Sequence, residues 1–262
     1  MADETGKLSV DDLHSISERL SNRWSEYLED TPTTNGDEAT RAWCVYGLAM
    51  HTTNLLSLVA GLHTTGVNPM FLMPQVRTMY ETAITAQWIA LVEDGANAWI
   101  NASQANSARL IDNLRKSSDP IFTNAADSIQ KARIMDTALP STSDHQAGNF
   151  KSLCADLNIG DTDAYSYYKL LCAYTHPSVD LADEYLVQPE GQNAAIVRQP
   201  KMTPTDAWFY LAAASTVWAQ MAMQLTAKDP TFRNHLRSIA RELGVEDTFQ
   251  PSDAAWLRLH KK

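Results

Sequence analysis

The 262-residue sequence predicts an all-α protein, a single helical bundle of eight to ten helices with four charge-poor inner ones. Three observations carry that prediction. Helix start and stop signals recur along the whole chain. Four segments of helical length are almost free of charge. Gly (10) and Pro (11) are too few for a collagen-like, linker-rich or many-turned β chain. A 44% hydrophobic and 20% charged composition supplies a substantial core and excludes wholesale disorder.

Residues 1–8 are polar and read as a flexible start. Ser9, followed three residues later by Asp12, resembles a capping box and opens a helix to about Glu29, ended by the polar tract 30–37. A second helix runs from Ala39 to His63 and stops in a Thr-Thr-Gly turn. Asn68-Pro69 caps a third that reaches Glu93, with Pro74 forcing a kink or a later start. A fourth covers Asn97–Lys116, and a fifth runs from Asp119-Pro120 to Leu139. Residues 140–149 read as a loop before a short helix over Phe150–Leu157. Asp161 or Asp163 caps the next helix, which ends at His176-Pro177 and leads into a short turn. Residues 187–203 read as a long loop, in which 194–198 has some strand character. Thr203–Asp206 starts a helix to Ala227, Asp229-Pro230 opens another closed by Gly244, and Ser252–His260 supplies a final turn or two. There is no internal repeat and no domain boundary, so residues 1–262 are read as one domain.

The 31 acidic residues outnumber 21 basic ones, for a formal charge of -10. Such a surface repels phosphate backbones and argues against non-specific nucleic-acid binding. Cys44, Cys154 and Cys172 form no C-x-x-C pair and fit reduced thiols. The N-terminus lacks the basic start and apolar run of a secretory signal, and no uninterrupted apolar run nears ~18 residues. The expectation is a soluble cytoplasmic protein that does not engage membranes. Residues 228–262 carry seven basic and five acidic residues, and Arg233, Arg237 and Arg241 form an i, i+4, i+8 stripe. It reads as a solvated face paired with the acidic body, the alternative being a surface for phosphate or an acidic partner.

Phosphate-binding Gly-rich loops, H-E-x-x-H and G-x-S-x-G are absent, and no E-x-x-H serves a di-metal bundle site. No cofactor and no metal are assigned. His51 and His63 are available to a haem, without specific support. His176, Asp180 and Asp183 carry ligating groups, but Pro177-Ser178-Val179 between them leaves the geometry open.

The charge-poor segments are 42–63, with no charged residue; 69–92, with only Arg77 and Glu81; 164–176, with only Lys169; and 205–226, with only Asp206. Helices apolar on most of their circumference belong inside a bundle. Arg77 and Glu81, four apart, share one helix face with Ile84, Trp88 and Leu91. They read either as a buried structural ion pair or as a polar site at the bundle centre. Tyr165, Lys169, Cys172 and His176 fall on one face of the next charge-poor segment, with His176 at its C-terminal end. The plain reading of His176 is a capping histidine; the functional one is a site residue. His51 lies mid-helix in the second segment and reads as a packed core histidine, with ligand contact as the alternative. Met70, Met73 and Met79 read as core filling.

The string LMPQVRTMYETAITAQWIAL resembles the R-x-x-x-E helix of an uncharacterised bacterial all-helical family, frequent in actinobacteria, that is described only as a domain of unknown function. YYKLLCAYTHPSVD resembles its second signature, a Tyr followed by His-Pro-Ser. A more remote similarity is to HEPN (higher-eukaryote-and-prokaryote nucleotide-binding) domains, many of which are metal-independent ribonucleases of toxin and antiphage systems. Those domains place an Arg four to six residues before the catalytic His. Here the corresponding positions are Cys172, Leu171 and Leu170, with Lys169 one step further, so Arg77 is left to supply the cation through space.

The resulting expectation is a small-ligand-binding or regulatory protein with Arg77, Glu81 and His176 around one polar site, joined by Tyr165, Tyr168, Lys169 and His51. One alternative is an RNA-cleaving enzyme with His176 as base and Arg77 or Lys169 stabilising the transition state. Another is an interaction protein, antitoxin-like or homodimeric, whose ion pair is purely structural. A small polar ligand and a second copy of the chain are the expected partners.

Overall fold

Two helices, α3 (Met73–Leu91) and α10 (Asp206–Thr226), are buried on almost every side, and the remaining helices wrap around their contact. The computed structural model describes residues 8–29, 34, 38–132, 138–160, 163–188, 193–202 and 206–260. Among these are twelve α-helices, nine of them at least seven residues long, and almost no strand. The protein is an all-α bundle.

The α3–α10 contact follows from composition. Ala212, Ala213, Ala214, Ala219 and Ala222 give α10 a surface of small side chains on which neighbouring backbones come close. Against it α3 places Val76, Met79, Ala83 and Ile84, all fully buried. A helix enclosed this way must satisfy its polar groups internally. Ser215 and Thr216 donate to the carbonyls of Leu211 and Ala212 on their own helix. Gln87 of α3 donates to the Trp218 carbonyl at 2.7 Å. Gln220 donates to the Thr53 hydroxyl at 3.0 Å.

Around this centre lie α1 (Val10–Glu29), α2 (Ala39–Thr64), α4 (Gly95–Leu114) and α5 (Pro120–Ala132). The Ser9–Asp12 capping box at the start of α1 forms as expected, each residue bonding the other's backbone or side chain. Asn68 caps a short 3-10 turn over Pro69–Phe71, after which α3 restarts with Pro74 in its first turn, where a missing N–H costs nothing. The expected kink is therefore a later start. Met70, Met73 and Met79 are core residues, as expected.

The second half adds α6 (Asp144–Ala147), α7 (Phe150–Ala155), α8 (Ala164–Ala173), α9 (Val179–Asp183), α11 (Arg233–Leu243) and α12 (Asp253–Leu259). Asp163 caps α8 by accepting from the Tyr165 N–H. Gly244, at φ 71°, ends α11 in the left-handed conformation that only glycine adopts freely. Two antiparallel pairings join distant segments: β1 (Leu157–Asn158) with β4 (Gln250–Pro251), and β2 (Leu186–Val187) with β3 (Ala195–Ile196). The 187–203 segment expected as a loop thus carries a strand that returns onto β2. The cap expected at Thr203–Thr205, the end of the fifth helix at 133–137, Asp161 and the start of the chain at 1–7 lie outside the described residues.

Two of the four charge-poor segments are not interior in the way their composition suggests. α8 buries only Ala164 and Leu171, because its aromatic content is tyrosine, which tolerates a wet edge. α2 is the one described helix whose length and composition would suffice to cross a membrane, yet it is buried only in part, against α3 and α10 with α1 and α4 at its flanks. Its outer face carries Gly47 and Gly61 with open space where a Cβ would stand. Each costs about 0.5–1 kcal/mol of helix stability relative to alanine. Of the basic stripe on α11, Arg233 donates to the Gln224 carbonyl at the end of α10 and Arg237 pairs with Asp247 at 2.9 Å. Two of its three members are thus engaged with the protein itself.

The most consequential polar contact was not legible in the sequence. Asp156, just after α7 and 3% exposed, receives both terminal nitrogens of Arg258 from α12 at 2.7 Å. Trp88 of α3 donates to the same carboxylate at 2.8 Å. Arg258 also reaches Ser143, which donates to Asp94 at 2.6 Å. Removing one partner of such a pair leaves an uncompensated charge. Asp156→Ala is expected to cost about 3–5 kcal/mol, a fall of roughly 6–20 °C in melting temperature, measurable by calorimetry. Burial acts to raise the Asp94 carboxyl, but donors from Ser143, Thr142 and Ser141 outweigh it and hold its pKa below the ordinary range. With the folded-state value depressed, the stabilisation is present above about pH 4 and is lost as pH falls through that lower value. Asp94→Asn should therefore flatten the acid limb of a stability–pH curve measured by urea unfolding.

Candidate functional site

α8 lies along α3, held by two polar tethers. The Tyr80 hydroxyl donates to the Ala164 carbonyl at 2.7 Å, and one turn earlier on α3 Arg77 Nη2 donates to the Tyr168 hydroxyl at 2.7 Å. The chain order of these pairs makes the two helices antiparallel. The Arg77 guanidinium also sits 5.0 Å from the Tyr168 ring centre, a cation–π arrangement.

Arg77 and Glu81 do meet, but loosely: Nη2 is 3.5 Å from the carboxylate, with side-chain exposures of 22% and 39%. The pair is at the solvent edge of α3, not at the bundle centre. The reason is geometric, since α8 covers this part of α3 with one narrow stripe and leaves the edge open. By contrast Arg258, with two 2.7 Å contacts, is neutralised. Arg77 has a neutral phenol as its nearest partner, and its Nε–H is buried without a partner among the described residues.

Aromatic rings extend the seam. Phe150 of α7 lies 4.5 Å from the Tyr168 ring centre, Tyr165 lies 5.7 Å from it, and Lys151 Nζ stands 5.8 Å above Tyr165. Burial disfavours the charged Arg77, but the Tyr168 hydrogen bond and the surrounding charges outweigh it and push its pKa up. Burial pushes the Tyr168 phenol up as well, against the opposing pull of Arg77. At neutral pH the seam therefore offers a fixed positive charge beside a neutral hydroxyl, whose own O–H faces the Cys172 thiol.

The other expected site residues are not brought to this point. Lys169 is exposed on α8, one residue beyond Tyr168. His176 is exposed, past the end of α8, and its side chain makes no hydrogen bond among the described residues. It stands three residues beyond Ala173, the last residue of α8, and eight beyond Tyr168. His51 is exposed on the outer face of α2, away from the side that meets α3. It is a surface residue and not a core histidine, because its position falls about 100° round the helix from the Val45–Thr52–Val59 stripe that α2 buries. Among the described residues no group of three or more His, Cys, Asp or Glu side chains is arranged to hold a metal, His176, Asp180 and Asp183 included. A groove of about 290 Å³ lies elsewhere, along α4 at Trp99, Ser103 and Asn106.

One cluster has no counterpart in the sequence reading. His14 Nε2 and His63 Nδ1 are 3.2 Å apart, and both rings lie 4.7 Å from Phe209. The two histidines are 49 residues apart, so no spacing could have joined them. Burial, then the neighbouring His14, lower the His63 pKa against an opposing pull from Asp206. A depressed histidine contributes stability that is complete above about pH 6.5 and is lost as pH falls through its folded-state value. The urea midpoint of the wild type should drop between pH 7 and pH 5, and His63→Gln should show a smaller drop over that window.

Residues 72–193 match the model of a family of unknown function (DUF5677), a span that holds Arg77, Glu81, Tyr165, Tyr168, Lys169 and His176 and leaves out His51. Among curated proteins none matches the chain, and among solved structures none does.

Proposed function

We propose that the α3–α8 seam binds a small anionic ligand, a carboxylate or phosphate, through Arg77 with Tyr168 as the second donor. The observation that carries this reading is the Arg77 guanidinium, part-buried yet paired only with a phenol at 2.7 Å and a carboxylate at 3.5 Å. A cation held rigidly by a neutral partner keeps its affinity for an anion, whereas one locked in a bidentate pair does not. The Phe150–Tyr168–Tyr165 rings would cover the apolar part of such a ligand, and Lys151 adds a second positive charge at their edge.

In this reading Glu81 is a competitor that an entering anion displaces. Glu81→Gln is expected to tighten binding severalfold. Because Glu81 is 39% exposed, its loss should cost less than about 1 kcal/mol of stability. Titration calorimetry with inorganic phosphate, succinate and adenosine monophosphate provides the test. Arg77→Met should weaken any binding at least tenfold, and Tyr168→Phe severalfold, with melting temperatures near that of the wild type. Absence of binding to all three, together with a large loss of stability in Arg77→Met, would instead support the purely structural role. The RNA-cleaving alternative needs Arg77 and His176 on one phosphate, and His176 stands exposed past the end of α8 with no hydrogen bond to Arg77 among the described residues.

A further inference from the structure

We propose that the outer face of α2 is the contact between two copies of this chain, packed antiparallel about a two-fold axis at Asn54. Positions 43, 47, 50, 54, 58 and 61 advance eighteen residues in five steps, the 3.6-residue period of a straight helix, so they form one stripe along α2. Trp43 and Leu58 on this stripe are 54% and 46% exposed, and Tyr46 beside it is 39% exposed. Residues 42–63 contain no Asp, Glu, Lys or Arg, a run that water-facing helix surfaces do not ordinarily show.

The arrangement of side chains selects the occupant. A two-fold operator lays one face over its own copy, so the face must complement itself. Without charges, no position opposes a like charge. Reflected about Asn54, the stripe is also matched in size: Gly47 meets Gly61 of the second copy, Leu58 lies level with Met50, which is part-buried against Trp24 of its own copy, and Asn54 meets itself. A carboxamide carries both donor and acceptor, so two Asn54 side chains satisfy one another across the axis. Gly47 and Gly61 have open space over their Cβ positions, so nothing inside one copy requires them. Facing each other at both ends, they let two helix axes approach toward the ~8 Å end of the packing range. A lipid surface fits less well, because the exposed His51 and Asn54 at the middle of this face would lose their hydrogen-bond partners.

Area sets the strength. A 26-residue helix is about 39 Å long and about 10–12 Å wide, covering roughly 400–500 Å² on each copy. The two copies together would bury roughly 800–1,000 Å², below the ~1,200 Å² of stable specific interfaces, which predicts a weak, reversible dimer.

Sedimentation velocity on the full chain from about 2 to 200 µM should show a monomer giving way to a dimer. Asn54→Lys, which sets two ammonium groups face to face on the axis, should move that transition at least tenfold upward. Helicity and melting at low concentration should not change, since Asn54 is exposed. Mild oxidation of Asn54→Cys should yield a crosslinked dimer beyond the wild-type background. Gly47→Cys alone, its two copies about 21 Å apart in this register, should not, whereas Gly47→Cys with Gly61→Cys should. A wild type that stays monomeric at 200 µM overturns the proposal, as does an Asn54→Lys variant that dimerises unchanged. Crosslinking of Gly47→Cys as readily as Asn54→Cys would overturn the antiparallel register. Co-flotation of a monomer with phosphatidylcholine–phosphatidylglycerol vesicles, abolished by Asn54→Lys, would assign the face to a membrane instead.

Discussion

Burial of α10 on all sides is the constraint from which the rest of the architecture follows. A helix with almost no solvent face draws its hydroxyls and amides into defined contacts, even where, as at Gln220 and Gln224, one end of the amide has no partner among the described residues. Ser215 and Thr216 turn back to their own helix, while Gln220 reaches α2 and Gln87 reaches in from α3. These bonds fix the rotation and height of α2 and α3 relative to α10. The alanines that let the helices approach would accept many rotations; the glutamines accept one. Packing supplies the driving force and the amides supply the register.

The periphery is held by different means. Where helices are short, as in α7, α9 and α12, apolar burial alone is thin, and charges and backbone pairing do the joining. Asp156 gathers α3, α7 and α12 through one carboxylate, and β1 and β4 close the same junction through backbone hydrogen bonds. The Arg77–Tyr168 contact, by contrast, joins α3 to α8 without neutralising the cation. Two arginines on one protein thus have opposite electrostatic fates: Arg258 is silenced by a bidentate carboxylate, and Arg77 is held in place by a phenol with its charge intact. That difference, more than the presence of an Arg–Glu pair as such, is the ground on which the α3–α8 seam is proposed as a site.

α2 shows why composition alone does not place a helix. It is as poor in charge as α10, yet it exposes one face. A charge-free segment requires shelter from water, and a second molecule shelters it as well as the protein's own core does. The glycines and the central asparagine on that face make sense as features of a contact, since they weaken an isolated helix without improving its packing on α3 or α10.

The all-α class, most helix boundaries and the caps at Ser9, Asn68, Asp163 and Gly244 were legible in the sequence, because each depends on interactions within a few residues. The burial of α3 and α10 agreed with their charge-poor composition, although the same composition in α2 did not enclose it. Arg77 and Glu81 stood out for the same reason, as charges in an apolar helix. What only the tertiary structure decided is which faces meet. His51 and Arg77 lie on helices that pack together, yet His51 points outward; His176 is exposed past the end of α8; Tyr168, one of several tyrosines in its helix, is the residue that Arg77 finds. Asp156 with Arg258 and His14 with His63 are separated by 102 and 49 residues. Partners so far apart leave no periodic trace in the chain, because their meeting is set by the rotation of whole helices about the α10 axis and not by local preference.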